Sequence, residues 1–92
     1  MGKVRVRVQI KGRVQGVFFR DETRRMARSV EVTGWVKNLA NGNVQAVFEG
    51  EEDQVKKVLA WCDEGPPLAS VKAKEVVWQD YTGEFPSFEV VY

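Results

Sequence analysis

The chain has 92 residues, 43% of them hydrophobic and 29% charged, a balance that places it with globular proteins and outside the low-hydrophobicity, high-charge range of disordered chains. Fourteen Lys and Arg stand against thirteen Asp and Glu, and this net charge of +1 argues against broad electrostatic capture of nucleic acid. There is no histidine and one cysteine, so the commonest general base, the commonest metal ligand and an intramolecular disulfide are absent, and the apolar runs fall far short of the roughly 20 residues that cross a bilayer.

A chain of this size is expected to form one domain, residues 1–92, with a small but sufficient core. From Lys3 to Lys11, Val4, Val6, Val8 and Ile10 alternate with Lys3, Arg5, Arg7, Gln9 and Lys11, which predicts a strand with one dry face. The run Gly12-Arg13-Val14-Gln15-Gly16-Val17-Phe18-Phe19-Arg20 then feeds a helical pattern. Phe19, Thr23, Met26, Ala27 and Val30 form one stripe of that helix, with Asp21 and Glu22 at its positive end.

Two strand-like pieces follow, Val32 to Asn38 and Asn43 to Glu49, joined by Leu39-Ala40-Asn41-Gly42, whose Asn-Gly pair supplies the positive φ angles of a hairpin. Glu51, Glu52 and Asp53 open a second helix and are read as capping its N-terminus rather than as a cation site, with Val55, Val58, Leu59 and Cys62 on the helix's apolar stripe. Gly65-Pro66-Pro67 ends it. A fourth strand spans about Ser70 to Gln79, its alternation slipping near Glu75 and Val76 as at a bulge. After an Asp80 to Pro86 loop, Phe88, Val90 and Tyr92 alternate with Ser87, Glu89 and Val91 in a last strand. The order strand, helix, strand, strand, helix, strand, with a short final strand, specifies an α+β fold: a ferredoxin-like α/β sandwich with two helices on one face of a mostly antiparallel sheet.

Fold alone does not give function, so the candidate sites must. Glycines where a strand feeds a helix let backbone amides turn inward at a positive helix end, and Arg20 adds a planar fork that matches two phosphate oxygens. By themselves these residues leave two readings open, an anion cradle or a tight turn whose glycines satisfy backbone geometry. The run is neither a Walker loop nor a dinucleotide fingerprint. Cys62 lies on an apolar stripe and reads as core. The paired aromatic platforms of RNA-recognition modules are missing: Phe48 shares its face with Val44 and Ala46, and Trp35, Trp61 and Trp78 read as structural.

Ile10 to Arg20 resembles the first signature of the acylphosphatases. Gly34-Trp35-Val36-Lys37-Asn38, with Gly42, Val44 and Gly50 at the following intervals, is similar to the second, and Gly65-Pro66-Pro67 resembles the family's stop after the second helix. The resemblance spans essentially the whole chain. It implies an enzyme that hydrolyses the carboxyl-phosphate bond of acyl phosphates without metal or other cofactor. It also implies catalytic roles for two residues: Arg20 matches the phosphate-binding arginine, and Asn38 matches the asparagine that positions the attacking water. The backbone of Gln15, Gly16, Val17, Phe18, Phe19 and Arg20 would complete the cradle. Read from the hairpin alone, Asn38 is an ordinary turn asparagine.

The implied chemistry accommodates a chain without histidine. A carboxylate leaving group, with a conjugate-acid pKa near ~4, needs no proton donor, and a loose phosphoryl transition state needs little activation of water. The expected partners are a small acyl phosphate and inorganic phosphate, the latter as product and inhibitor, with no nucleic acid and no membrane. The expected setting is a monomer in the cytoplasm, since no charged-then-apolar leader opens the sequence. The alternative is a non-catalytic phosphate- or metabolite-binding module of the same fold, and RNA binding is a weaker third reading.

Overall fold

The computed structural model describes residues 2–92. Strand β1 (Lys3–Arg13) sends Val6, Val8 and Ile10 into the core with no exposed surface, while Arg7 and Lys11 on its other face stand in solvent. Helix α1 (Phe19–Ser29) follows, then β2 (Thr33–Asn38), β3 (Val44–Glu51), helix α2 (Glu52–Cys62), β4 (Ser70–Gln79) and β5 (Phe88–Val90). The five strands form one sheet in the order β4-β1-β3-β2-β5. β3 therefore lies between β1 and β2, antiparallel to both, and β4 is antiparallel to β1. This is the ferredoxin-like sandwich expected from the element order.

Both helices bury one stripe against the same side of the sheet. Phe19, Thr23 and Ala27 of α1 pack on the side of β2 and β5, and Val55, Val58, Leu59 and Cys62 of α2 on the side of β3 and β1; all are buried, as are Val44, Ala46 and Phe48 of β3. Phe19 closes the seam between the helices, its ring 5.5 Å from that of Trp61. The acidic residues that open α2 make no side-chain cap bond; Glu52 instead pairs with Lys56 at 2.8 Å, one turn on. Their support for the helix is thus electrostatic and exposed, and small in magnitude.

Two details differ from the sequence expectation. The irregularity in the β1–β4 pairing lies at Lys11/Gly12, where the register jumps from Ala73 to Val71; at Glu75 and Val76 the pairing with Gln9 and Val8 is regular. The bulge sits there because Gly12, at φ 128°, brings its backbone so close to Ser70 that a Cβ would lie 2.2 Å from the Ser70 carbonyl oxygen. The last strand is also shorter than its alternation suggested, and it runs parallel to β2, extended by one bond from the Val91 amide to the Val36 carbonyl at 2.9 Å.

A side-chain row explains why β5 docks at that edge. Gly34 of β2 is the register partner of both Phe48 on β3 and Phe88 on β5. With no side chain between them, the two rings stack across Gly34, centroids 5.4 Å apart and planes inclined by 17°. Arg28 of α1 then clips β5 in place, donating to the Phe88 carbonyl and to Glu89, each at 3.0 Å.

Candidate active site

Between β1 and α1 the backbone alternates in hand. Gly16 has φ 74° and Phe18 φ 67°, with Val17 and Phe19 in the ordinary negative region. Successive residues of opposite hand turn their N–H groups to one side, which makes a concavity suited to an anion, and the N-terminus of α1 adds partial positive charge there. Among the described residues, no backbone N–H from Gln15 to Arg20 donates to another protein atom. Glycine adopts this conformation without strain at position 16. Phe18 does so although the residue is 66% exposed and gains little packing in return. Such strain, of order 1–3 kcal/mol, characteristically accumulates where backbone faces a ligand.

The loop opens onto a cleft of about 330 Å³ lined by Gly16, Phe18, Phe19, Arg20 and Asp21 on one side and by Asn38, Val90 and Tyr92 on the other, with Val14 at its base. Arg20 has no carboxylate partner among the described residues; its guanidinium lies over the Tyr92 ring, 5.2 Å from the centroid. Its fork of donors is thereby oriented by an aromatic face and left available to an oxyanion.

Asn38 is the last residue of β2, and its Oδ1 is buried without a hydrogen-bond partner among the described residues. A buried acceptor without a partner is unfavourable by about 1–3 kcal/mol, so any donor brought to this atom, a water included, would be favoured there. The approach of Asn38 to the Arg20 loop follows from the strand order, because only β3 separates the two strands that lead to them.

The predicted residues therefore divide. Gly16, Phe18, Phe19, Arg20 and Asn38 share one cleft. The Val17 side chain is buried in the core, so that residue can offer only its backbone. Gln15 turns its side chain away from the cleft, donating from Nε2 to the Leu39 carbonyl at 2.8 Å and the Asn43 carbonyl at 2.9 Å. Tyr92, Val90 and Asp21 were not singled out as site residues from sequence. No local pattern marks the first two, since the parallel docking of β5 alone brings them there; Asp21 read as a helix-end charge, and it also lies 3.7 Å from Arg24.

Cys62 is core, as its position on the apolar stripe suggested. Burial pushes its thiol up from the usual 9.0 to about 12, which leaves no thiolate for chemistry at neutral pH. Among the described residues, no three acidic or cysteine side chains gather in a way that could hold a metal ion.

The sequence matches the acylphosphatase family model over residues 6–90. The chain belongs to the acylphosphatase family. An acylphosphatase of Pelotomaculum thermopropionicum is 48% identical over 92 residues, covering 100% of both chains. One from Rubrobacter xylanophilus is 54% identical over 86 residues, covering 94% of this chain and 78% of the relative. The crystal structure of acylphosphatase from Bacillus subtilis superposes with a TM-score of 0.93 at 30% identity, covering 97% of this chain and 99% of that one. The chain is accordingly an enzyme that hydrolyses acyl phosphates. No helix among its described residues is long and apolar enough to cross a membrane.

Proposed function

We propose that acyl phosphate hydrolysis proceeds in the cleft between the Gly16–Arg20 loop and Asn38. The backbone amides from Gln15 to Arg20 and the Arg20 guanidinium hold the phosphoryl oxygens, and Asn38 Oδ1 accepts a hydrogen bond from the attacking water. One observation carries this reading: Asn38, whose Oδ1 is buried and unpartnered among the described residues, lines the same cleft as Arg20 and the loop of unpaired amides.

Each group then has a task that its chemistry suits. Amides and guanidinium fixed in advance strengthen their bonds as charge grows on the equatorial oxygens. Asn38 has no basicity, and none is needed, because it orients water in line with the departing carboxylate while a phosphate oxygen takes the proton. The leaving carboxylate departs unprotonated. Metal independence, competitive inhibition by inorganic phosphate, action as a monomer and a cytoplasmic location belong to the same proposal; a free and buried Cys62 accords with a reducing compartment.

Acetyl phosphate incubated with the protein and excess chelator tests it. Phosphate release far above the spontaneous rate, inhibited competitively by inorganic phosphate, is the expected result. Release only when a divalent metal is restored would overturn the metal-free mechanism.

A further inference from the structure

Strands β1 and β2 are not neighbours. With β3 between them and a spacing of about 4.8 Å per strand, the phosphate loop and the end of β2 start roughly 10 Å apart across the sheet. Water delivery by Asn38 requires that separation to be held constant, since a displacement of about 1 Å between reacting groups can lower turnover ~100-fold. The sheet fixes β2 only as far as the Asn38–Val44 pair. Beyond it the chain enters a turn closed by the Leu39 amide on the Asn43 carbonyl at 2.8 Å and by the Gly42 amide on the Leu39 carbonyl at 3.2 Å.

The side chain of Gln15 reaches across to this turn. Its Nε2 donates to the carbonyl of Leu39, the residue next to Asn38, and to that of Asn43, the far end of the same turn. A primary amide nitrogen has two hydrogens, and both are committed. Nothing remains on that nitrogen to donate to a phosphoryl oxygen. The group is therefore placed to act on the turn and unsuited to act as a ligand.

We propose that the Gln15 side chain is a positioning residue for the water-orienting asparagine: a cross-brace from the phosphate loop to the hairpin that sets the distance between the anion cradle and Asn38. This rests on the reading of Asn38 given above. The cradle keeps its own geometry without the brace, because the Gln15 backbone and the alternating φ angles remain. Binding of the phosphoryl group and orientation of the water are thus separable, and Gln15 serves the second.

The test uses Gln15→Met, which keeps length and bulk and removes both donors, and Gln15→Glu, which keeps the shape and presents acceptors to two carbonyls. Each is measured for acetyl phosphate turnover, for the inhibition constant of inorganic phosphate and for retained circular dichroism, alone and combined with Asn38→Ala. Turnover is expected to fall about tenfold or more in either variant with phosphate inhibition as strong as in the wild type. Each double variant is expected to be no slower than Asn38→Ala alone. Unchanged turnover, a loss confined to phosphate inhibition, or fully multiplicative effects with Asn38→Ala would overturn the brace. If Asn38→Ala itself turns over at the wild-type rate, the water-orienting role fails, and the brace fails with it for that separate reason.

Discussion

Arg5 of β1 and Glu49 of β3 are register partners in the sheet, and Arg5 Nη1 donates to Glu49 Oε2 at 3.2 Å although Glu49 has no exposed surface at all. Glu49 also accepts from the Thr82 amide and hydroxyl, each at 2.9 Å, and from the Gly83 amide at 3.1 Å. Arg5 extends the network to Glu84 at 2.8 Å and lies over the Phe85 ring. The carboxylate thereby anchors the Asp80 to Pro86 loop that delivers β5 to the sheet edge.

Burial by itself raises the Glu49 pKa, and the bonds from Thr82, Arg5 and Gly83 outweigh it, holding the carboxyl below its ordinary 4.5. A group whose folded pKa is depressed stabilises the fold above the unfolded value, and that stabilisation is lost as pH falls through the folded one. Urea unfolding followed from pH 7 downward should therefore show wild-type stability declining below about 4.5. Glu49→Gln should be less stable at neutral pH and should converge on the wild type in acid. Parallel pH profiles would refute the linkage.

Arg20→Ala and Asn38→Ala should fail in different ways. Loss of the guanidinium removes charge stabilisation worth about 3 kcal/mol or more in the transition state, so hydrolysis should fall at least ~100-fold and phosphate inhibition should weaken as well. Loss of the Asn38 carboxamide should lower turnover and leave phosphate inhibition intact. Steady-state kinetics with inorganic phosphate as inhibitor separates the two patterns.

Phe18 holds a left-handed conformation with most of its ring in solvent, so its side chain repays little of the strain. Phe18→Gly should stabilise the protein by up to about 1 kcal/mol, because glycine occupies that region freely. Denaturant midpoints measure this, and a clear loss of stability would show that the exposed ring contributes more than its contacts suggest.

Phe88 joins β5 to the core through the ring stack over Gly34. Phe88→Ala should cost about 3 kcal/mol or more. It should also lower activity, because Val90 and Tyr92 line the cleft only while β5 is docked. Thermal unfolding and turnover measured on the same preparation test both halves.

Much of this molecule is written locally. The period-two valines of β1, the helical stripes that place Phe19 and Cys62 in the core, and the Gly-Pro-Pro stop after α2 depend on nearest neighbours along the chain, and hydrophobic burial enforces them directly. The resemblance of Ile10 to Arg20 and of Gly34 to Asn38 to two family signatures likewise singled out Arg20 and Asn38, which line one cleft. The bulge escaped a reading of β4 because its cause lies in another strand, at Gly12 against Ser70. Tyr92 beneath the Arg20 guanidinium, the commitment of both Gln15 amide hydrogens and the solitary Oδ1 of Asn38 were decided only by tertiary structure. Each depends on which strands become neighbours, and strand order is set by burial summed over the whole sheet rather than by any segment of it.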